Sequence, residues 1–230
     1  MKLNKPSLIL FFMALLCTII LDWAQQDLLA TYSKSVVLPA IFIYFLISSE
    51  FRISITEGLI FLFYFIGQVY ILMDIESSEI AGVVCFLIVY SLLIAIFLKE
   101  HDGIKLKRRD VLPVSIVIIS LAYLLISVLS LELENMKKFN FLFTFYGIVL
   151  SVLSYFAFVS YITKGTYVSL LMSLMTISYI FSDIFYIFNQ YFSYPVVLVL
   201  IRDTTQILAY FFMVQYFLEK ARIQKKATQQ

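Results

Sequence analysis

The chain has 230 residues, of which 62% are hydrophobic and only 14% are charged, and its mean hydropathy is +0.96. A soluble domain is about 45–50% apolar and about 25% charged, so a water-soluble globule of this size could not bury the apolar surface present here. Lipid must solvate the excess, which predicts an integral membrane protein in contact with membrane lipids. The net charge of +2 gives no argument for binding nucleic acid.

Apolar segments long enough to cross a bilayer recur along the whole chain. A spanning helix needs about 20 mostly apolar residues, and the shortest segments here reach that length if their polar ends extend toward the interface. The loops are brief, so we predict a single transmembrane domain over residues 1–230, an all-α polytopic bundle of eight spans. The predicted spans are residues 7–21, 36–49, 58–73, 80–98, 111–131, 139–163, 166–188 and 196–218.

The first span resembles a signal peptide in its basic start, but no small-x-small cleavage site follows it, so we interpret it as a retained helix. Lys and Arg then indicate the orientation. With a cytoplasmic N-terminus, thirteen of them fall on the inner side, three fall in outer loops (Lys34, Lys137 and Lys138), and Arg202 falls within a span. The positive-inside rule places both termini in the cytoplasm. The expected location is the inner (cell) membrane of a bacterium.

Cysteine and histidine usage argues against several chemistries. Cys17 and Cys85 lie in apolar runs without CxxC spacing, and His101 is the single histidine. The chain contains no GxxxxGK[ST], GxGxxG or GxSxG string, which argues against nucleotide hydrolysis and serine-esterase chemistry. We expect neither a metal nor a cofactor.

A few polar side chains interrupt or end the predicted spans, although a charge in hydrocarbon costs about 2.5–3.5 kcal/mol on insertion scales. At a helix rise of about 1.5 Å per residue, all of these side chains fall in the outer half of the bundle. Asp183, Arg202 and Asp203 lie about 8–10 Å inside the outer boundary. We therefore predict that they converge on a polar pocket that opens outward. These residues are Asp22, Gln68, Asp74, Asp183, Arg202 and Asp203.

Two interpretations of these charges stay open. In the first, Arg202 forms a buried ion pair with Asp183 or Asp203 that only offsets the cost of burial. In the second, one arginine faces two aspartates, so one carboxyl has no cation of its own and can hold a proton near neutral pH, as a general acid must. Tyr90, near the middle of the fourth span, carries a hydroxyl that should find a partner away from water.

Short stretches, in order along the chain, resemble motifs of the YhhN/lysoplasmalogenase family of eight-span integral membrane proteins. The family motifs are Thr-Lys-Pro at the second span, Gly-Asp-x-x-Leu, Gly-Leu-x-x-Phe-x-x-x-His, a late Phe-x-x-Ser-Asp, and a closing Tyr…Ala-Gln. The matching positions are residues 32–35 with Pro39, 67–72, 82–90, 181–183 and Gln215. The resemblance implies hydrolysis of the vinyl ether bond of lysoplasmalogen, which gives a fatty aldehyde and a glycerophospho-base.

This chain departs from the family pattern at two positions, because Gln68 stands for the first-motif aspartate and Tyr90 for the histidine. Vinyl ethers are hydrolysed by protonation at carbon and addition of water, for which two carboxyls are suited. Since glutamine exchanges no proton at neutral pH, either Asp74 or Asp203 replaces the missing carboxyl, or the activity is lost.

The resulting hypothesis is a hydrolase that acts on a lysophospholipid. Arg202 would hold a phosphate, to which its fork donates two parallel hydrogen bonds, or would fix Asp203. Gln68 with Ser182 would position water or substrate. The predicted catalytic residues are Asp183 as proton donor, Gln68 and Asp203, and the predicted substrate-binding residues are Ser182, Arg202, Tyr90 and Asp74.

Two alternatives remain. One is a non-catalytic lipid- or small-ligand-binding protein that keeps only the bundle, which the replacements at Gln68 and Tyr90 favour. The other is a transporter with a protonatable carboxylate. The sequence shows no internal repeat, which argues against a transporter. The oligomeric state is not predicted, because no GxxxG face is present.

Overall fold

The computed structural model describes residues 5–73, 76–101, 107–130, 140–191 and 196–228. These residues form eight α-helices, a short 3₁₀ turn at Arg108–Asp110 and no strand. The helices are α1 (Lys5–Trp23), α2 (Asp27–Ser48), α3 (Ile55–Met73), α4 (Glu76–His101), α5 (Val111–Leu129), α6 (Asn140–Lys164), α7 (Tyr167–Tyr191) and α8 (Val196–Thr228).

Each of these eight helices is long and apolar enough to cross a membrane. The predicted all-α bundle of eight spans is confirmed, and the chain is an integral membrane protein. Large apolar side chains on the outside of the bundle, such as Leu112, Tyr123 and Phe141, are exposed by 70% or more. Membrane lipids cover these side chains, because water would not solvate so much apolar surface.

The largest difference from the predicted spans is at the start of α2, which begins at Asp27, more than two turns before residue 36. Its polar first turns are typical of a loop in sequence. In the helix, however, Thr31 Oγ1 donates to the Asp27 carbonyl at 2.9 Å, and Ser35 Oγ donates to the carbonyl three residues earlier at 2.7 Å. Because these hydroxyls bond to carbonyls of their own helix, the polar segment is helical. Lys34 therefore lies inside α2 and not in an outer loop.

The helices pack as a ring with one helix outside it. Consecutive helices pack in the pairs α1–α2, α2–α3, α3–α4, α6–α7 and α7–α8, while α4 packs against α6. The ring closes where α8 packs against α1 and α2. The most enclosed span is that of α7, in which 61% of the residues are buried, and the least enclosed is that of α5, with 6%. The outer helix is therefore α5, which lies against α6.

Two glycines bring α3 and α4 into close contact. A Cβ atom added at Gly67 would lie 3.0 Å from Phe86 Cε1, and one added at Gly82 would lie 2.9 Å from Ile71 Cγ1. Small residues allow helix backbones to approach closely in membranes, where van der Waals packing drives association. The contact fixes the position of Gln68, the residue that follows Gly67.

Gly67→Ala should destabilise the protein by about 1–3 kcal/mol, the usual cost of adding a methyl group to a filled contact. Thermal unfolding in detergent, followed by circular dichroism, measures this loss. The matched control is Gly58→Ala, since a Cβ at Gly58 meets nothing within 4 Å. Its melting temperature should stay equal or rise, because alanine favours a helix by up to about 1 kcal/mol over glycine. Equal melting temperatures for the two variants would contradict the close packing of α3 on α4.

Candidate functional site

A cavity of about 380 Å³ lies inside one end of the bundle. Its walls come from the C-terminal parts of α1, α3, α5 and α7 and from the N-terminal parts of α2, α4, α6 and α8. Gln68, Asp183, Arg202 and Asp203 all line it. The predicted convergence of these side chains, from separate helices, at one level of the bundle is confirmed.

Four charged side chains form a cluster on the cavity wall. Arg202 Nε and Nη2 donate to the two carboxylate oxygens of Asp203 at 2.6 and 3.1 Å. Lys34 Nζ also contacts Asp203, and it lies 3.2 Å from Asp22 Oδ1. The Asp22 and Asp203 side chains are only 2% and 3% exposed. Two cations thus offset two anions that burial would otherwise make costly. We refer to these four residues as the charge cluster.

The charge cluster decides between the pairings that the sequence leaves open for Arg202. Its partner is Asp203, its neighbour in the chain, and Asp183 is not part of the cluster. The bidentate contact uses two N–H groups of the guanidinium on one carboxylate. Of the two roles predicted for Arg202, the geometry supports fixing Asp203 over holding a phosphate.

Sequence reasoning missed Lys34, because the predicted outer loop placed this residue in water. One signal could have found it. Asp22, Asp183 and Asp203 outnumber Arg202 in the same half of the bundle, so a second cation is expected at that level. The Lys34 side chain is 13% exposed and supplies this charge.

Asp183 is held by two tyrosines. Tyr146 Oη donates to Asp183 Oδ2 at 2.7 Å, and Tyr90 Oη donates to the same oxygen at 3.0 Å. In the described part of the chain, no salt bridge joins Asp183 to a lysine or arginine. Its side chain is partly exposed on the cavity wall. Among the residues that the structure describes, Asp183 is therefore the carboxyl without a cation that the second interpretation requires.

The two tyrosines differ in their positions relative to the cavity. Tyr146 of α6 lines the cavity beside Asp183, and sequence reasoning missed it because nothing distinguishes it among sixteen tyrosines. Tyr90 of α4 is 2% exposed and lies behind Asp183, outside the lining of this cavity. The prediction that the Tyr90 hydroxyl finds a partner is confirmed. From these two positions the tyrosines orient one oxygen of the carboxyl.

Gln68 joins α3 to α8 on the cavity wall. Its Oε1 accepts hydrogen bonds from Gln206 Nε2 at 3.2 Å and from Tyr210 Oη at 3.1 Å. These bonds engage the carbonyl oxygen, so the amide nitrogen is the atom through which Gln68 can donate to a molecule in the cavity. Gln206 and Tyr210 were not predicted. Gln206 could have been found, since it lies one turn after Arg202 in the same span.

Ser182 and Asp74 are the other two residues predicted for substrate binding or positioning. Ser182 is buried next to Asp183 and lines the cavity. Asp74 lies outside the described residues, so its role stays a prediction. Among the described residues, no group of three or more His, Cys, Asp or Glu side chains is placed to hold a metal ion.

Apolar side chains form a large part of the rest of the cavity wall. A space with an ionic wall and an apolar wall suits a molecule that has a polar end and a hydrocarbon chain, because each part meets surroundings of its own kind. The apolar lining includes Leu121, Leu124 and Val128 of α5 and Phe143 and Leu150 of α6.

The chain matches no protein-family model, no curated protein and no solved structure. The resemblance to the YhhN/lysoplasmalogenase family therefore stays a prediction from short motifs.

Lys34→Met should destabilise the protein by about 3–5 kcal/mol, since it leaves Asp22 and Asp203 buried with Arg202 as their only cation in the charge cluster. Adding Asp22→Asn should recover much of the loss, because the remaining pair is neutral. Thermal unfolding of the single and double variants in detergent measures both effects. Lys226→Met, at the exposed end of α8, is the control and should change little. A double variant no more stable than Lys34→Met would show that the cluster is not a balanced set.

Proposed function

We propose that this integral membrane protein hydrolyses the vinyl ether bond of lysoplasmalogen or of a related lysolipid. The observation that carries the proposal is the environment of Asp183. This carboxyl has two tyrosine hydroxyls as partners and lies on the wall of a cavity with a charged side and an apolar side. The motifs that resemble those of the YhhN/lysoplasmalogenase family support the same reaction.

In this proposal Asp183 acts first as a general acid and then as a general base. The protonated carboxyl transfers its proton to the vinyl carbon that bears no oxygen, and an oxocarbenium ion forms at the neighbouring carbon. Water adds to that carbon, and the Asp183 carboxylate takes up the proton that the water releases. The hemiacetal then breaks its bond to the glycerol oxygen, which leaves with the hydroxyl proton. The products are a fatty aldehyde and a glycerophospho-base.

A single carboxyl serves both steps. Asp203 is bound by Arg202 and Lys34, so protonating it would leave Arg202 without its carboxylate and Lys34 with Asp22 alone. Gln68 exchanges no proton at neutral pH, and in this mechanism it positions water or substrate together with Ser182. Asp203 thus shapes the polar end of the cavity and does not transfer the proton.

The proposal also includes the orientation and location of the protein. Both termini lie in the cytoplasm, the cavity lies in the outer half of the membrane, and the membrane is the inner membrane of a bacterium. The excess of Lys and Arg in the segments on the side of the termini supports this orientation.

Purified protein in detergent should release a fatty aldehyde from lysoplasmalogen, and Asp183→Asn should lower the rate by about 100-fold or more, the contribution typical of a positioned acid. A coupled aldehyde dehydrogenase assay measures the rate. Glu219→Gln makes the same carboxyl-to-amide change on α8, away from the cavity lining, and should keep the wild-type rate. If wild type and Asp183→Asn release equal background aldehyde, the hydrolase proposal fails.

A second candidate is a non-catalytic lipid-binding protein that keeps the bundle and the cavity. The observation that favours it is Gln68, which stands where the family has an aspartate and is bonded to Gln206 and Tyr210 as a link between helices. In this candidate the cavity holds a lipid, and Asp183 only closes its polar wall.

Gln68→Asp separates the two candidates. For a hydrolase with one carboxyl missing, we expect this change to raise vinyl ether hydrolysis by about tenfold or more, because a second carboxyl can activate water. Gln68→Asn shortens the side chain equally without adding a carboxyl and should not raise the rate. Lysolipid binding without hydrolysis in wild type and in Gln68→Asp would establish the non-catalytic candidate.

A further inference from the structure

We infer that the inward face of α5 forms a hydrocarbon-chain site, open sideways to the bilayer, which holds the single chain of an amphiphile whose polar end lies at Asp183 and the charge cluster. The inference rests on the proposed function for the identity of the lipid. The site itself is argued from the packing of α5, and it also fits a protein that binds the lipid without cleaving it.

One side of α5 looks into the cavity. The residues on this side are spaced by three and four positions, which places them on a single face of the helix. None of them is fully buried, and Val114, near the other end, is the one buried residue of α5. This face therefore borders the cavity and is only partly covered by side chains of other helices. Its residues are Leu121, Leu124, Leu125, Val128 and Leu129.

α5 is held from one direction. It packs on α6, where a Cβ added at Gly147 would lie 2.6 Å from Leu125 Cδ1. In the described part of the chain, no other transmembrane helix packs extensively against α5. Ile71 of α3 and Val83 of α4 line the same cavity. Among the described residues, no extensive helix–helix contact closes the apolar side of the cavity between α5 and these two helices, so hydrocarbon from the bilayer can reach it.

The volume of the cavity indicates that the chain continues outside the protein. A volume of about 380 Å³ is near the low end of the range of about 300–1,000 Å³ for pockets that enclose a drug-sized ligand. The polar end of an amphiphile needs part of this space, while a lipid chain reaches across half of a hydrocarbon core of about 30 Å. The cavity can enclose the part of the chain next to the polar end, and the rest lies between α5 and α3–α4 in the bilayer.

Two phenylalanines on α6 provide a matched test. Phe143 lines the cavity, whereas Phe145 does not line it and is 45% exposed on the outside. Each is replaced by tryptophan in a Trp23→Phe background, which removes the one native tryptophan. The full-length variants are placed in phosphatidylcholine vesicles, and a lysophosphatidylcholine brominated on its chain is added as the quencher.

Fluorescence of the Phe143→Trp reporter should be quenched saturably. It should fall to half at an about tenfold lower quencher fraction than the fluorescence of the Phe145→Trp reporter, which corresponds to about 1.4 kcal/mol of preference. The Phe145→Trp reporter should respond only in proportion to the bromine in the bilayer. Proportional quenching of both reporters overturns the chain site.

Narrowing the site gives a second arm. Val128→Phe adds bulk on the inward face of α5 and should raise the half-saturating quencher fraction of the Phe143→Trp reporter about tenfold. Ile126→Phe adds bulk on the same helix at a position that is 66% exposed, and should leave the curve unchanged. Identical curves for these two variants also overturn the chain site.

The quenching and hydrolysis measurements together separate this inference from the proposed function. Saturable quenching without vinyl ether hydrolysis supports the chain site and refutes the hydrolase. Hydrolysis with proportional quenching of both reporters refutes the chain site and leaves the hydrolase standing.

Discussion

The cost of placing charge in hydrocarbon constrains this structure more than any other single factor. Lys34 and Arg202 offset Asp22 and Asp203 within one cluster, and the contacts of Lys34 connect α1 and α2 with α8. Those contacts lie where α8 closes the ring of helices. The same ion pairs that make burial of the two aspartates tolerable therefore also position one wall of the cavity.

Asp183 meets the same cost by a different means. A hydroxyl supplies a hydrogen bond without adding a charge, so the carboxyl held by Tyr90 and Tyr146 can change its protonation state without leaving a neighbouring cation unpaired. Asp203 lacks this freedom, because protonation would remove the negative charge that pairs with Arg202 and Lys34. For this reason we propose Asp183, and not Asp203, for proton transfer, although both carboxyls line one cavity.

The properties that can be counted along the chain could be predicted from the sequence. Apolar length indicates eight spans, and the rise per residue places Gln68, Asp183 and Arg202 at a common depth. The rotation of each helix about its axis and the choice of its neighbours do not follow from counting, so Tyr146 could not be distinguished from other tyrosines as a partner of Asp183. Lys34 was misplaced because hydroxyl side chains that bond to their own helix resemble a loop in composition.

The charges of the cluster are already matched within the segments that carry them. Asp22 and Lys34 belong to α1 and α2, which are consecutive and pack against each other, while Arg202 and Asp203 are adjacent residues of α8. Each group is electrically neutral by itself, so the first hairpin and the last helix can each enter the membrane during synthesis without a net charge from these residues. The contact of Lys34 with Asp203 then joins two neutral segments that leave the ribosome at different times.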